Sequence, residues 1–264
     1  ILRKLETDLV NIGYEVQTVR VATNSFSQWL TQDAVAVVDD NNNPSQKKQK
    51  TDTESKSIAN ERLQQLDNML EKKDIQFCSL GPSTNPNDTV QICPTIVAAS
   101  GKFSCNANIN AGDINGARAA AQCIQKISTL GDGVDKSHVK GGLGNFRFCA
   151  ASHIETAPFF PGARAPSNTS HSYSFAIGLE NGGFACDLLR EAKTISNIKQ
   201  VIYTRMREEL IPIQDVCMKF VDSTEGNSVG YLGIDTSLNP SLEEGGSVAE
   251  AIEYLEEVRD NFGG

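Results

Sequence analysis

Residues 144–183 read GNFRFCAASHIETAPFFPGARAPSNTSHSYSFAIGLENGG, and the fold turns on how this stretch divides. Asn145 to Ser152 is mostly aromatic and small apolar residues, which predicts a strand; Ser172 to Leu179 predicts a second. The polar residues between them predict a long loop, and Glu180-Asn181-Gly182-Gly183 predicts a turn into a helix. Two of the three histidines, His153 and His171, fall here, together with Arg147, Glu155 and the run Pro158-Phe159-Phe160-Pro161-Gly162.

Upstream the chain alternates in the same way. Ile1, Leu2, Leu5, Leu9 and Ile12 recur at helical spacing, and Gly13 stands where a C-terminal cap belongs. Glu15 to Val21 predicts a strand, and Ser25 or Ser27 can cap a helix carrying Trp29, Leu30 and Val35 to Val38. Leu63, Leu66, Met69 and Leu70 mark an amphipathic helix, followed by an apolar strand from Ile75 to Leu80. Asp88 can cap the next helix, whose second half Pro94 opens. Phe103, Cys105, Ala107 and Ile109 alternate with Ser104, Asn106 and Asn108, a strand with one apolar and one polar face. Asp113 caps an Ala-rich helix running to about Leu130.

Downstream come a helix with Leu188 and Leu189 and a long helical region from Ile198 to about Val221, which Pro212 must kink or divide. A strand over Val229 to Ser237 and a helix capped by Ser247 complete the pattern. Strands that are nearly continuously apolar, alternating with helices, predict an α/β domain in which helices bury the sheet. Pattern alone does not choose between an open sheet and a barrel. The expected unit is one domain over 1–264. It is interrupted at about 39–57 by a stretch without a hydrophobic residue, read as a mobile surface insertion.

Composition narrows the function. The 264 residues carry a net charge of −9, so a phosphate-backbone footprint is not expected and nucleic acid is set aside as a partner. No apolar run approaches the roughly 20 residues of a membrane helix, and no basic-then-apolar leader opens the chain. Seven cysteines, an odd number with no C-x-x-C pair, predict reduced buried thiols and a cytoplasmic protein. The chain opens on Ile1 inside a helical pattern, which suggests a piece of a longer polypeptide.

In an α/β protein the ligand site collects beyond the carboxyl ends of the strands. That rule selects the loops Asn110 to Asp113, His153 to Pro166, Glu180 to Gly183 and Asp235 to Gly246, and within them Glu155, Glu180, Asn181 and Asp235. Glu155 can serve as a general base or orient a substrate, or can pair in the loop with Arg164. Asp235 ends a strand beside hydroxyls and amides, so it can hold a divalent cation such as Mg²⁺, act as an acid–base group, or cap its own turn. Arg147, placed in an apolar strand, either completes an ion pair or meets an anionic ligand. Asn106 and Asn108 form a polar row that partners or a wet cavity must satisfy. The glycines after Glu180 match no phosphate fingerprint, and a plain tight turn explains them. His153 and Glu155 form an H-x-E without the P-C-x-x-C of the zinc deaminases, and three scattered histidines make no metal site.

Several strings in combination are similar to one family. Gly13 to Arg20, Ser104 to Ile109, Asn145 to Ala150, Pro158 to Ala163, Ile234 to Leu238 and Gly246-Ser247-Val248 resemble the uncharacterised "domain of unknown function 711" proteins. The resemblance covers nearly the whole chain apart from the insertion. It implies a barrel of strands surrounded by helices, like that of the glycyl radical enzymes such as pyruvate formate-lyase, and incomplete in this chain. The adjacent cysteine pair and the C-terminal glycine loop of those enzymes are absent, so no glycyl radical is expected from this segment. Many relatives carry a histidine shortly after the Pro-Phe-Phe-Pro string, where this chain has Arg164-Ala165-Pro166.

The expected function is an enzyme or enzyme-like binder of a small anionic metabolite inside the barrel. Arg147, Asn106, Asn108, Glu180 and Asn181 would bind the ligand, while Glu155 and Asp235 would handle protons or a divalent cation. The alternative is a non-catalytic structural or regulatory protein that keeps an enzyme-like barrel. Thiol chemistry at Cys105 or Cys149 is a third course, disfavoured because apolar burial raises a thiol's pKa. A homo-oligomer is left open.

Overall fold

The computed structural model describes residues 2–30, 52–131, 137–152, 160–165, 171, 173–224 and 229–236, with 252, 255 and 260. The chain divides into two compact units, one of residues 17–168 and one of 1–16 with 169–264.

The first unit is built on a parallel sheet of β1 (Arg20–Ser25), β2 (Phe77–Ser83), β3 (Phe103–Asn108) and β4 (Phe148–Ala151), in that spatial order. Between the strands run α2 (Asp52–Lys72), α3 (Pro86–Gln91), α4 (Cys93–Ala99) and α5 (Ile114–Ser128). The α/β expectation is met with a parallel sheet; the described strands do not close into a barrel. Register places Cys78 beside Val21 and Phe103, and Cys105 beside Phe148, on one face. That face is the core. Cys78, Leu80, Cys105, Ala107 and Phe148 pack with Leu63, Ile92, Ile96, Cys123 and Ile127 from the helices. Apolar burial at roughly 25 cal/mol per Å² is the main term holding helices and sheet together.

Helix starts follow local chemistry. Asp113 accepts from the Gly116 amide at 2.8 Å and caps α5 as expected. The α3 cap is Asn85 and not Asp88, because Pro86 sets the first helical φ and leaves Asn85 extended, with its Oδ1 2.8 Å from the Asp88 amide. Pro94 opens α4 as expected.

Other boundaries move. The first strand is Arg20–Ser25 and not Glu15 to Val21, since pairing with β2 decides where the ladder runs. Phe26–Gln28 is one 3₁₀ turn; the rest of the helix expected after it lies outside the described residues. Of the polar stretch 39–57, residues 39–51 lie outside the described residues, while 52–57 are the first turns of α2. Polar residues are carried into a helix when they continue a stripe anchored in the core, here Ala59, Leu63 and Leu70.

The second unit pairs β5 (Tyr173–Gly178) with β6 (Val229–Asp235) in parallel, connected through α6 (Gly182–Ala192) and α7 (Ile195–Asp222). Helix α1 (Leu2–Asn11) contributes Leu5 and Leu9 to its core of Phe175, Ile213, Cys217, Phe220 and Val229. Pro212 does not divide α7, which runs continuously through it. Pro212 has no amide to meet the Glu208 carbonyl, and the Tyr14 hydroxyl donates to the adjacent Glu209 carbonyl at 2.8 Å. The helix expected after Ser247 lies outside the described residues, apart from isolated positions.

Candidate functional site

The polar face of the first unit's sheet is crossed by residues 160–165. Phe160 packs edge-to-face on Phe77 with ring centres 6.4 Å apart, and the Arg20 guanidinium lies over both rings. The Ser79 hydroxyl then donates to the Pro161 carbonyl at 3.1 Å, and Asn106 Nδ2 to the Ala163 carbonyl at 3.2 Å. The Ala165 amide ends the crossing on the Thr23 carbonyl at 3.2 Å. One short segment is thus anchored on β2, β3 and β1 in turn.

This crossing delivers Arg164 to the carboxyl end of β3. Its side chain is 5% exposed, and Nη1 donates to Asn108 Oδ1 at 3.2 Å. Nε and Nη2 are buried and have no hydrogen-bond partner among the described residues. Among the described residues no carboxylate lies within ion-pair distance of Arg164. Burial pulls its pKa below the ordinary arginine value, with the neighbouring Cys149 acting the other way. A desolvated cation without a counter-charge is among the costliest things a fold can hold.

Around it the face is polar and underused. Asn106 is fully buried and its Oδ1 has no partner; Ser104, two residues earlier on the same face, is 5% exposed with an unpartnered hydroxyl. Cys149 stands beside Asn106 in the β3–β4 register and is half-buried. Burial raises its thiol pKa, partly offset by the positive Arg164. The site can therefore neutralise a negative group, donate two hydrogen bonds from one planar fork and accept at least one.

The sequence-derived candidates separate. Asn106 and Asn108 are brought together with Arg164. Arg147 is not: it ends a run of 3₁₀ turns before β4 instead of lying inside a strand, because the Gly141 and Gly142 turns at positive φ carry the chain further before it straightens. Its Nη1 donates to the His138 carbonyl at 3.3 Å, and the guanidinium lies by Gly101, ahead of β3, away from the carboxyl end. Glu155 and His153 lie outside the described residues. Cys105 is fully buried with its thiol directed at the Cys93 carbonyl, a packing position.

Glu180, Asn181 and Asp235 belong to the second unit, at the carboxyl ends of β5 and β6 as expected. Glu180 is exposed and Asp235 half-buried. Asn181 is 5% exposed; its Nδ2 donates to the Thr236 carbonyl at 3.4 Å, its Oδ1 is unpartnered, and it makes no capping bond to α6. Among the described residues no group of three or more His, Cys, Asp or Glu side chains could hold a metal ion. The open groove of about 440 Å³ beside α3, α4 and α5 joins none of these residues, and its Lys126 is engaged by the Val90 carbonyl and Gln91.

Sequence reasoning placed Arg164 within the candidate loop His153 to Pro166, with no role beyond that of a loop partner for Glu155. Its position after Pro161-Gly162-Ala163 gives no periodicity to read, and only the crossing segment shows that it is buried.

A family model described as Uncharacterised ACR (DUF711) matches residues 1–264. The chain belongs to this family. The match agrees with the family that the sequence strings resemble. No curated protein and no solved structure matches. No helix among the described residues is long and apolar enough to cross a membrane.

Proposed function

We propose that this protein binds a small anionic metabolite on the polar face of its parallel sheet, in an enzyme-like site centred on Arg164. The observation that carries this reading is the buried guanidinium whose Nε and Nη2 have no partner among the described residues. A fold that retains such a cost, with no counter-charge among the described residues, gains from it in the liganded state. Asn108 holds the guanidinium in place, and Asn106 and Ser104 offer further polar contacts.

The same reading gives the sheet a larger setting. Strands β1 to β4 neighbour one another in chain order, and right-handed crossovers then put their helices on one face. A sheet wound in that sense curls with helices outside and the other face inward. This supports a barrel of the pyruvate formate-lyase type whose interior the polar face would line.

The test is thermal unfolding of the full chain across a panel of small carboxylates and inorganic phosphate. A ligand at a hundred times its Kd stabilises by about 2.7 kcal/mol, so a bound anion raises Tm measurably. Arg164→Met should abolish that rise. If no anion shifts Tm and the variant unfolds earlier than the parent, Arg164 is structural and the non-catalytic reading takes over.

A further inference from the structure

The unpartnered atoms around Arg164 also specify what kind of anion fits. Nε and Nη2 are the two nitrogens on the side-on edge of the guanidinium, and their parallel N–H bonds match the two oxygens of a carboxylate or phosphate. Nη1 is taken by Asn108, so the side-on edge is the one on offer.

Asn106 then discriminates. Its Nδ2 faces the Ala163 carbonyl, which can only accept, and this sets the amide the one way round: Oδ1, an acceptor, is left buried without a donor. Residues 163 and 164 engage Asn106 and Asn108, alternate positions on one strand face roughly 6.6 Å apart along the chain. A single small molecule spans that distance. Phosphate oxygens are nearly all acceptors at neutral pH and would set lone pairs against Oδ1. A carboxylate with a neighbouring hydroxyl or ammonium group supplies the donor that Oδ1 lacks.

We propose that the ligand of this site is a hydroxy- or amino-carboxylate, its carboxylate forked side-on by Arg164 Nε and Nη2 and its hydroxyl or ammonium group donating to Asn106 Oδ1. This rests on the anion-binding reading and assigns its ligand class. Ser104 lies two residues before Asn106 on the same face, and its buried hydroxyl has no partner among the described residues. A site built to pair a ligand donor rejects the analogue without it, because its own buried acceptor is then left alone.

Matched pairs of ligands on the unaltered chain test this by calorimetric titration: lactate against propionate, malate against succinate, glutamate against glutarate, with inorganic phosphate alongside. Within at least one pair, the member carrying the donor should bind about tenfold tighter or better, and tighter than phosphate. Asn106→Leu should bring the members of that pair level while Arg164→Met weakens both. Equal binding within every pair, or phosphate above all of them, overturns the ligand class while leaving an anion site if binding still depends on Arg164. Absence of all binding overturns both. The ligand comparison needs no variant, so a misfolded Asn106→Leu does not blunt it.

Discussion

At Arg164 a single side chain sets stability against function. Its guanidinium is buried, holds one hydrogen bond to Asn108, and has no carboxylate within ion-pair reach among the described residues. An apolar side chain of similar length removes the desolvation cost, and the exposed Asn108 carbonyl oxygen can turn to water. Arg164→Met should therefore stabilise the unliganded protein by about 1 kcal/mol, a rise in Tm of roughly 2–4 °C at this size. Removing one partner of a buried pair instead costs about 3–5 kcal/mol. Urea unfolding of parent and variant decides between these signs.

The strand elements show how closely the sheet is drawn together near this site. The β1–β2 register shifts between Ala22 and Ser25, and there the Gly81 amide donates to Thr23 Oγ1 at 3.0 Å. A Cβ on Gly81 would press into the Thr23 carbonyl oxygen and lie 2.5 Å from that of Asn24. Both are backbone atoms and cannot turn aside as a side chain would. Gly81→Ala should cost about 3 kcal/mol, read as a lower denaturant midpoint with an unchanged m-value. Because Thr23 also receives the end of the crossing segment, the same variant should weaken anion binding. Helix elements were more legible: the Asp113 cap and the Pro94 helix start follow from residue type alone, while the Asn85 cap needed the extended conformation that Pro86 imposes.

At the scale of the whole molecule, the cysteines tie stability to alkaline pH. Burial pushes the Cys78 thiol from 9.0 up to about 12, and Cys93 and Cys123 are raised as well. Below pH 9 these thiols are protonated in both folded and unfolded chains, and their contribution is complete. Between pH 9 and about 12 the unfolded chain releases a proton from Cys78 that the folded chain keeps, so rising pH favours unfolding. The slope is about 1.4 kcal/mol per pH unit for one thiol. Unfolding free energy measured at pH 8, 9.5 and 10.5 should fall along this course, and Cys78→Ala should make the fall shallower by one thiol's share; a variant with the parent's slope would remove Cys78 from the account. This dependence follows from burial, which the sequence anticipated in general, since an odd count without a C-x-x-C pair predicted reduced, buried thiols; six of the seven are buried and Cys149 is half-buried.

What the sequence determined by itself was local and periodic. Alternation in Phe103 to Asn108 sets which side chains share a face, because successive strand residues point to opposite sides whatever the partners. It thereby identified Asn106 and Asn108. The α/β class followed from the same regularity. The tertiary structure alone decided which cation meets that polar row. Arg147 and Arg164 are both arginines near the same strand, and nothing in spacing or residue type ranks them. Gly141 and Gly142 turn the chain so that Arg147 stays at the amino end, while the contacts of residues 160–165 with three strands carry Arg164 across the sheet. These are contacts between positions far apart in the chain, and a one-dimensional pattern does not contain them.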